Sequence, residues 1–106
     1  MKVSLHPEAW ADLRSIHQYI AARNRRRADS FIGELRAKIA SLSRMGESYP
    51  LLQGFESSGL RRCMHGSYRI FFRVLDGDAV EVTHVMHTSR DHTPLLAAWS
   101  RPADRP

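Results

Sequence analysis

Residues 60–91 leave this chain few choices of fold. Tyr68, Ile70, Phe72 and Val74 alternate with Arg69, Phe71, Arg73 and Leu75, and a period of two suits a strand with one buried face. Gly66-Ser67 precedes this segment and Asp76-Gly77-Asp78 follows it. Gly tolerates positive φ and Asp bonds its own backbone, so both read as hairpin turns. The stretch is three short antiparallel strands, and the chain upstream has to pack on them.

Side-chain chemistry selects the register. A three-residue loop at 76–78 sets Val74 opposite Val80, Phe72 opposite Val82 and Arg73 opposite Glu81. A two-residue loop would instead place Glu81 against Val74 or Phe72 on the core side. A slip of one residue exchanges the two faces of a strand, so the longer loop is expected. It puts His84 on the core face beside Ile70, unless a bulge turns it out. A two-residue loop at Gly66-Ser67 pairs His65 with Tyr68, Met64 with Arg69, Arg62 with Phe71 and Leu60 with Arg73. Arg62, Arg69 and Arg73 then share an open face with Leu60, Met64 and Phe71. That is a cationic surface with apolar patches, suited to an anion or an acidic partner. Arg61, Cys63 and His65 point the other way.

Upstream, Lys2 to His6 reads as a short strand. Pro7-Glu8 starts a helix, since Pro lacks only an N–H that the first turn leaves unused and Glu8 meets the positive dipole end. Trp10, Leu13, Ile16, His17 and Ile20 recur at spacings of three and four, so this helix runs to about Arg23. Asn24 is the expected break, as a cap of either helix. The second helix runs from about Arg26 to Arg44, with Ala28, Phe31, Leu35, Ile39 and Leu42 as its stripe and Ile32 alongside. Gly33 is a blemish in it, and a small residue there would admit close approach of the first helix. Residues 45–59 form a long connection that Tyr49, Leu51, Leu52 and Phe55 should pack down. Thr93-Pro94 opens a short helical segment through Trp99, and residues 100–106 should fray. The expected architecture is α+β: an N-terminal strand, a helical hairpin packed on a small antiparallel sheet, and a short C-terminal helical segment. One domain over 1–94, followed by a C-terminal segment over 95–106, accommodates it.

Charge narrows the partners. The 106 residues carry a formal net charge of +5, which favours nucleic acid or an acidic protein. The four Arg at 23 and 25–27 read as a solvated turn between helices. A single cysteine, Cys63, allows no internal disulfide and suits a reducing compartment. No leader and no apolar run approaching the ~18 residues of a membrane span is visible, so a cytoplasmic protein is expected. His84 and His87 lie three apart on a strand and diverge, so no metal is expected, and nothing calls for a cofactor.

The order of elements resembles the ParE branch of the RelE/ParE toxin superfamily. Trp10-Ala11-Asp12-Leu13-x-x-Ile16-x-x-Tyr19-Ile20 is similar to the family's first helix, and Asn24 with Ala28-x-x-Phe31-x-x-x-Leu35 to its second. Tyr49-Pro50 with Gly54 resembles its loop, and Leu60-Arg61 the start of its next strand. Tyr68-Arg69-Ile70-Phe71-Phe72-Arg73-Val74 and Val80-x-Val82-x-x-Val85-x-His87-x-x-Arg90-Asp91 resemble its sheet. The likeness spans roughly residues 3–92. It implies the toxin of a type II toxin–antitoxin system, neutralised by a small antitoxin whose tail folds on binding. Trp10, Leu13, Ile20, Phe31 and Leu35 are then the candidate antitoxin contacts.

Two targets follow from the resemblance. ParE-like members poison DNA gyrase, for which Arg62, Arg69, Phe71, Arg90 and Trp99 are the candidate contacts and no catalytic residue is needed. RelE-like members cut messenger RNA on the ribosome, which requires a base, an acid and cations around the phosphate. Arg62, Arg69, Arg73 and Arg90 are the candidate phosphate cradle for that, with His87 as acid or base. It departs from the RelE pattern: its only lysines are Lys2 and Lys38, and no Tyr follows Tyr68. Gyrase inhibition is therefore the expected activity. A non-toxic basic module that binds nucleic acid is the alternative from another class, although only Phe71 offers an aromatic ring for stacking on that face.

Overall fold

The computed structural model describes residues 1–76 and 79–97. Strand β1 spans Lys2–Leu5 and helix α1 spans Pro7–Ala21. His6 caps α1: its Nδ1 accepts the Glu8 N–H at 3.1 Å, ahead of Pro7 in the first turn. The helix stops two residues before the expected Arg23. Asn24 then caps helix α2, Arg25–Met45, its side-chain oxygen accepting the Arg27 N–H at 2.9 Å. Asn24 therefore opens the second helix.

Strands β2 (Leu60–His65), β3 (Tyr68–Leu75) and β4 (Ala79–His87) follow, and the sheet order is β1-β4-β3-β2. Every expected pairing across Gly66-Ser67 is present, from His65–Tyr68 to Leu60–Arg73. Val74–Val80, Arg73–Glu81 and Phe72–Val82 pair as the three-residue loop requires. Gly77 and Asp78 lie outside the described residues. Asp76 itself has φ +51°, and Asp is one of the few side chains that accept the left-handed region.

Two features complete the expected architecture. The sheet is mixed, because β1 pairs with β4 in parallel (Val3 with Val80, Leu5 with Val82). Helix α2 returns the chain to the end of the sheet where β1 began, and the Met1 ammonium group bonds the Ser43 carbonyl there at 2.9 Å. From that end β2, β3 and β4 run up, down and up, so β4 must run with β1. The second is the bulge that the expected register left open at His84. A bulge after Val82 inserts Thr83, so His84 pairs with Phe71 and Val85 takes the place beside Ile70. The Thr83 hydroxyl donates to the Phe71 carbonyl at 3.2 Å.

The main core lies between the helical hairpin and one sheet face. Leu13, Ile16, Leu35, Ile39 and Leu42 meet Ile70, Phe72, Val80, Val82 and Val85. A smaller cluster sits on the other face. Leu60, Phe71 and Met86 are covered by Leu52 and Phe55 of the long connection and by Leu96 of helix α3, Thr93–Leu96. The expected open face is therefore closed at its centre, and Phe71 is fully buried. Leu52 holds the connection in place by donating its N–H to the Leu60 carbonyl at 2.7 Å. The Arg61 guanidinium bonds the Tyr49 carbonyl beside it.

Gly33 is exposed, and a methyl group there would meet open space, so it gives no close approach to α1. Gly33→Ala should stabilise the protein by roughly 0.5–1 kcal/mol, read as a raised denaturation midpoint at unchanged slope. Cys63 is buried in the core, and burial pushes its thiol up to about 11 against the attraction of Lys38. Native protein at pH 8 should resist iodoacetamide, and label fully only in denaturant.

Candidate functional site

Helix α1 does not cover the upper half of the sheet completely. Beyond Leu5, no strand among the described residues flanks β4 on that side, and α1 runs beside its last residues. A groove of about 870 Å³ opens between them, continued by α2 and by the Gly66-Ser67 turn. Ile16 and Ile20 of α1, Phe31 of α2, Tyr68 of β3 and Val85 of β4 line it with apolar surface. Asp12, Arg27, His87 and Arg90 supply its polar groups.

Aromatic packing builds the groove wall. The Tyr68 ring lies 5.4 Å from Phe31 and meets His87 edge-on at 5.2 Å. Burial, and then Tyr19, push the Tyr68 hydroxyl above the usual tyrosine range. His87 is exposed but fixed: its Nδ1 accepts the Ser89 N–H at 3.0 Å, with the Ser89 hydroxyl at 2.8 Å. A neutral His87 therefore carries its proton on Nε2. Asp12 closes the strand edge, its carboxylate accepting the Val85 N–H at 2.9 Å. His84 is 3% exposed and lies 3.5 Å from that carboxylate and 3.9 Å from Glu8.

Charge in the groove is unevenly compensated. Arg27 lies over the Phe31 ring at 5.1 Å and pairs with Glu34 at 2.7 Å. Glu34 also meets His65 at 2.9 Å, and Arg27 and then His65 hold its carboxyl below the usual range. Arg90 has no such partner. Among the described residues, none of Arg62, Arg69 and Arg90 forms an ion pair with a carboxylate. Asp91, next to Arg90, turns to the Thr93 N–H at 3.0 Å.

The expected site residues divide between two faces. Arg62, Arg69 and Arg73 lie on the face away from the helices, in register with Phe71, Met64 and Leu60. Arg73 is engaged by Glu81 at 3.1 Å. His87 pairs with Tyr68 and lies, with Arg90, in the groove on the helix side. Of the helical candidates, Trp10 is exposed, Ile20 and Phe31 line the groove, and Leu13 and Leu35 are in the core. Trp99 lies outside the described residues. Among the described residues no group of three His, Cys, Asp or Glu is placed to hold a metal ion.

Three residues carry more than their sequence pattern indicated. Tyr19 is 77% exposed at the groove lip. Its place one step off the α1 stripe marks such a residue. Asp12 also lies off the stripe, but its bond to a strand 73 residues away has no local signal. His92 reaches the outer arginines: Arg69 meets its Nδ1 at 3.2 Å, and its ring lies 5.2 Å from Phe71.

Comparison with known proteins now bears on this arrangement. The fold is similar to that of a chromosomal ParDE toxin–antitoxin system from P. aeruginosa, with TM-score 0.66 and 17% identity over 82% of this chain and 95% of that one. It is also similar to the toxin–antitoxin complex RelBE2 from Mycobacterium tuberculosis, with TM-score 0.62 and 19% identity over 81% of this chain and 95% of that one. No curated protein matches the sequence significantly. The sequence model described as "ParE toxin of type II toxin-antitoxin system, parDE" matches residues 3–92 of the 106, and the protein therefore belongs to that toxin family.

Proposed function

We propose that the protein stops growth by inhibiting DNA gyrase, without catalysis of its own, and is silenced by an antitoxin segment seated in the groove between α1 and β4. The observation that carries the gyrase reading is the division of the RNase candidate set. Cutting RNA needs its cations and its acid or base around one phosphate. Here Arg62 and Arg69 lie on one face of the sheet, His87 on the other, and Arg73 is held by Glu81. An inhibitor that only binds places no such demand. Family membership supports the same reading.

The groove suits an amphipathic acidic segment. Ile20, Phe31 and Tyr68 give it an apolar floor, and Arg90 supplies a cation with no carboxylate partner among the described residues. Both structural neighbours are toxin–antitoxin assemblies, which favours a partner of that kind here. Arg90 stands both in this groove and among the target contacts expected from sequence. On this reading one segment silences the toxin by covering a target-binding residue. A gyrase target places the protein in the cytoplasm.

Purified toxin added to gyrase and relaxed plasmid should abolish supercoiling and leave linear, protein-bound DNA. Full supercoiling at large excess of folded toxin, with cleavage of messenger RNA on ribosomes, would transfer the activity to the RNase branch. Tyr19→Glu, at an exposed position, should leave the fold intact and weaken antitoxin binding about tenfold, near 1.4 kcal/mol. Arg90→Glu should reduce antitoxin affinity and gyrase inhibition together, in protein whose circular dichroism is unchanged. If supercoiling is lost as readily as with the parent, Arg90 is not a target contact.

A further inference from the structure

We infer that His92 is a proton-operated clasp, which holds the segment bearing α3 across the outer face of the sheet when neutral and releases it when protonated. The clasp lies outside the groove and does not depend on the gyrase reading. Beyond Arg90 the described chain is fastened at two points. His92 is half-buried and Leu96 is buried, while the other residues of 91–97 are exposed. Leu96 packs with Leu60, Phe71 and Met86. The His92 ring lies 5.2 Å from Phe71 and 6.5 Å from Phe55. Helix α3 is a single turn, too short to persist without such packing. Loss of either anchor therefore frees the segment.

Of the two anchors, only His92 can titrate. The Arg69 guanidinium donates to its Nδ1 at 3.2 Å, so the closed ring is neutral and carries its proton on Nε2. A second proton takes the Nδ1 lone pair, breaks that bond and sets an imidazolium against a guanidinium. The surroundings do not compensate it. Arg69 from β3 and Arg62 from β2 are cations, and Met86 from β4 is uncharged. Asp91 beside it is engaged by the Thr93 N–H at 3.0 Å, and Glu56, next to Phe55, by the Gly54 N–H at 3.0 Å. Burial, and then Arg69, hold His92 below the usual histidine range, with Arg62 adding to this and Asp91 opposing it.

The sign of the pH dependence follows. The released segment returns His92 to its ordinary value of 6.5, so the open form binds the proton more tightly than the closed form. Closure is strongest above that value. It weakens as pH falls through it, by up to about tenfold per pH unit, until His92 titrates in place. The bonds from Thr93 hold the Asp91 carboxyl below its usual range, so Asp91 stays charged throughout this window.

The test is made by NMR on the full chain between pH 7.5 and pH 5. It follows the His92 ring and the hydrogen-exchange protection of the Leu96 amide, which donates to the His92 carbonyl at 2.9 Å in the closed form. Exchange rates are corrected for their intrinsic pH dependence. Leu96 protection should fall about fivefold by pH 5.5 as His92 titrates, with the amides of β3 and β4 unchanged. His92→Gln, whose amide oxygen accepts from Arg69 at any pH, should abolish the fall, and His17→Gln on α1 should leave it. Asp91→Asn keeps an acceptor for the Thr93 N–H and removes the charge that favours the imidazolium, so it should move the fall to lower pH. Level protection down to pH 5 would overturn the clasp. So would a parent-like fall in His92→Gln, or a fall at unchanged or higher pH in Asp91→Asn. Protection lost in step across β3 and β4 would make the event global unfolding and overturn it as well. The parent and Asp91→Asn decide the matter even if His92→Gln does not fold.

Discussion

The pairing of β3 with β4, and the single residue inserted into it, governs the rest of the molecule. Below the bulge, Val80 and Val82 face the helices opposite Val74 and Phe72. Without Thr83 in excess, the strict alternation of side chains would send His84 and Met86 to that face, and Val85 and His87 away from it. The bulge reverses this for the upper half of the strand. Val85 joins the core, Met86 joins the outer cluster with Phe71 and Leu60, and His87 comes to rest against Tyr68. The composition of the groove and the closure of the outer face both depend on that one insertion.

The outer cluster shows how a small sheet avoids leaving two apolar faces to solvent. Leu60, Phe71 and Met86 would form an exposed patch if only the helices covered the sheet. The connection through Leu52 and Phe55 and the short helix bearing Leu96 bury it. Long connections in small domains are uncommon unless they do something, and this one acts as a second layer. It also fixes the chemistry at its margin. His92 is held on the Phe71 ring because Leu96, four residues on, is anchored below it.

The helix side solves a different problem. Strand β1 flanks only the lower half of β4, and an unpaired edge beside an apolar floor invites another chain. Asp12 protects that edge by accepting the Val85 N–H. The Arg27–Glu34–His65 chain ties α2 to β2 beside it. The wall of the groove that remains is built by the packed rings of Phe31, Tyr68 and His87.

Local pattern was enough to determine the two helices, the cap at Asn24, the turns and the register of β2 with β3 and of lower β4 with β3. Each rests on a period, a cap or a cross-strand pair that operates over a few residues, such as Arg73 with Glu81. Local order also carried the family resemblance over residues 3–92, which the family match bears out. Tertiary structure alone decided that Phe71 is buried, that β1 lies parallel to β4, that His87 and Arg69 face opposite ways, and that His92 meets Arg69. An alternating strand reads the same whether its second face meets water or a distant loop. A bulge adds a residue without leaving the strand pattern. Coverage and convergence depend on segments tens of residues apart, and no local period reports on those.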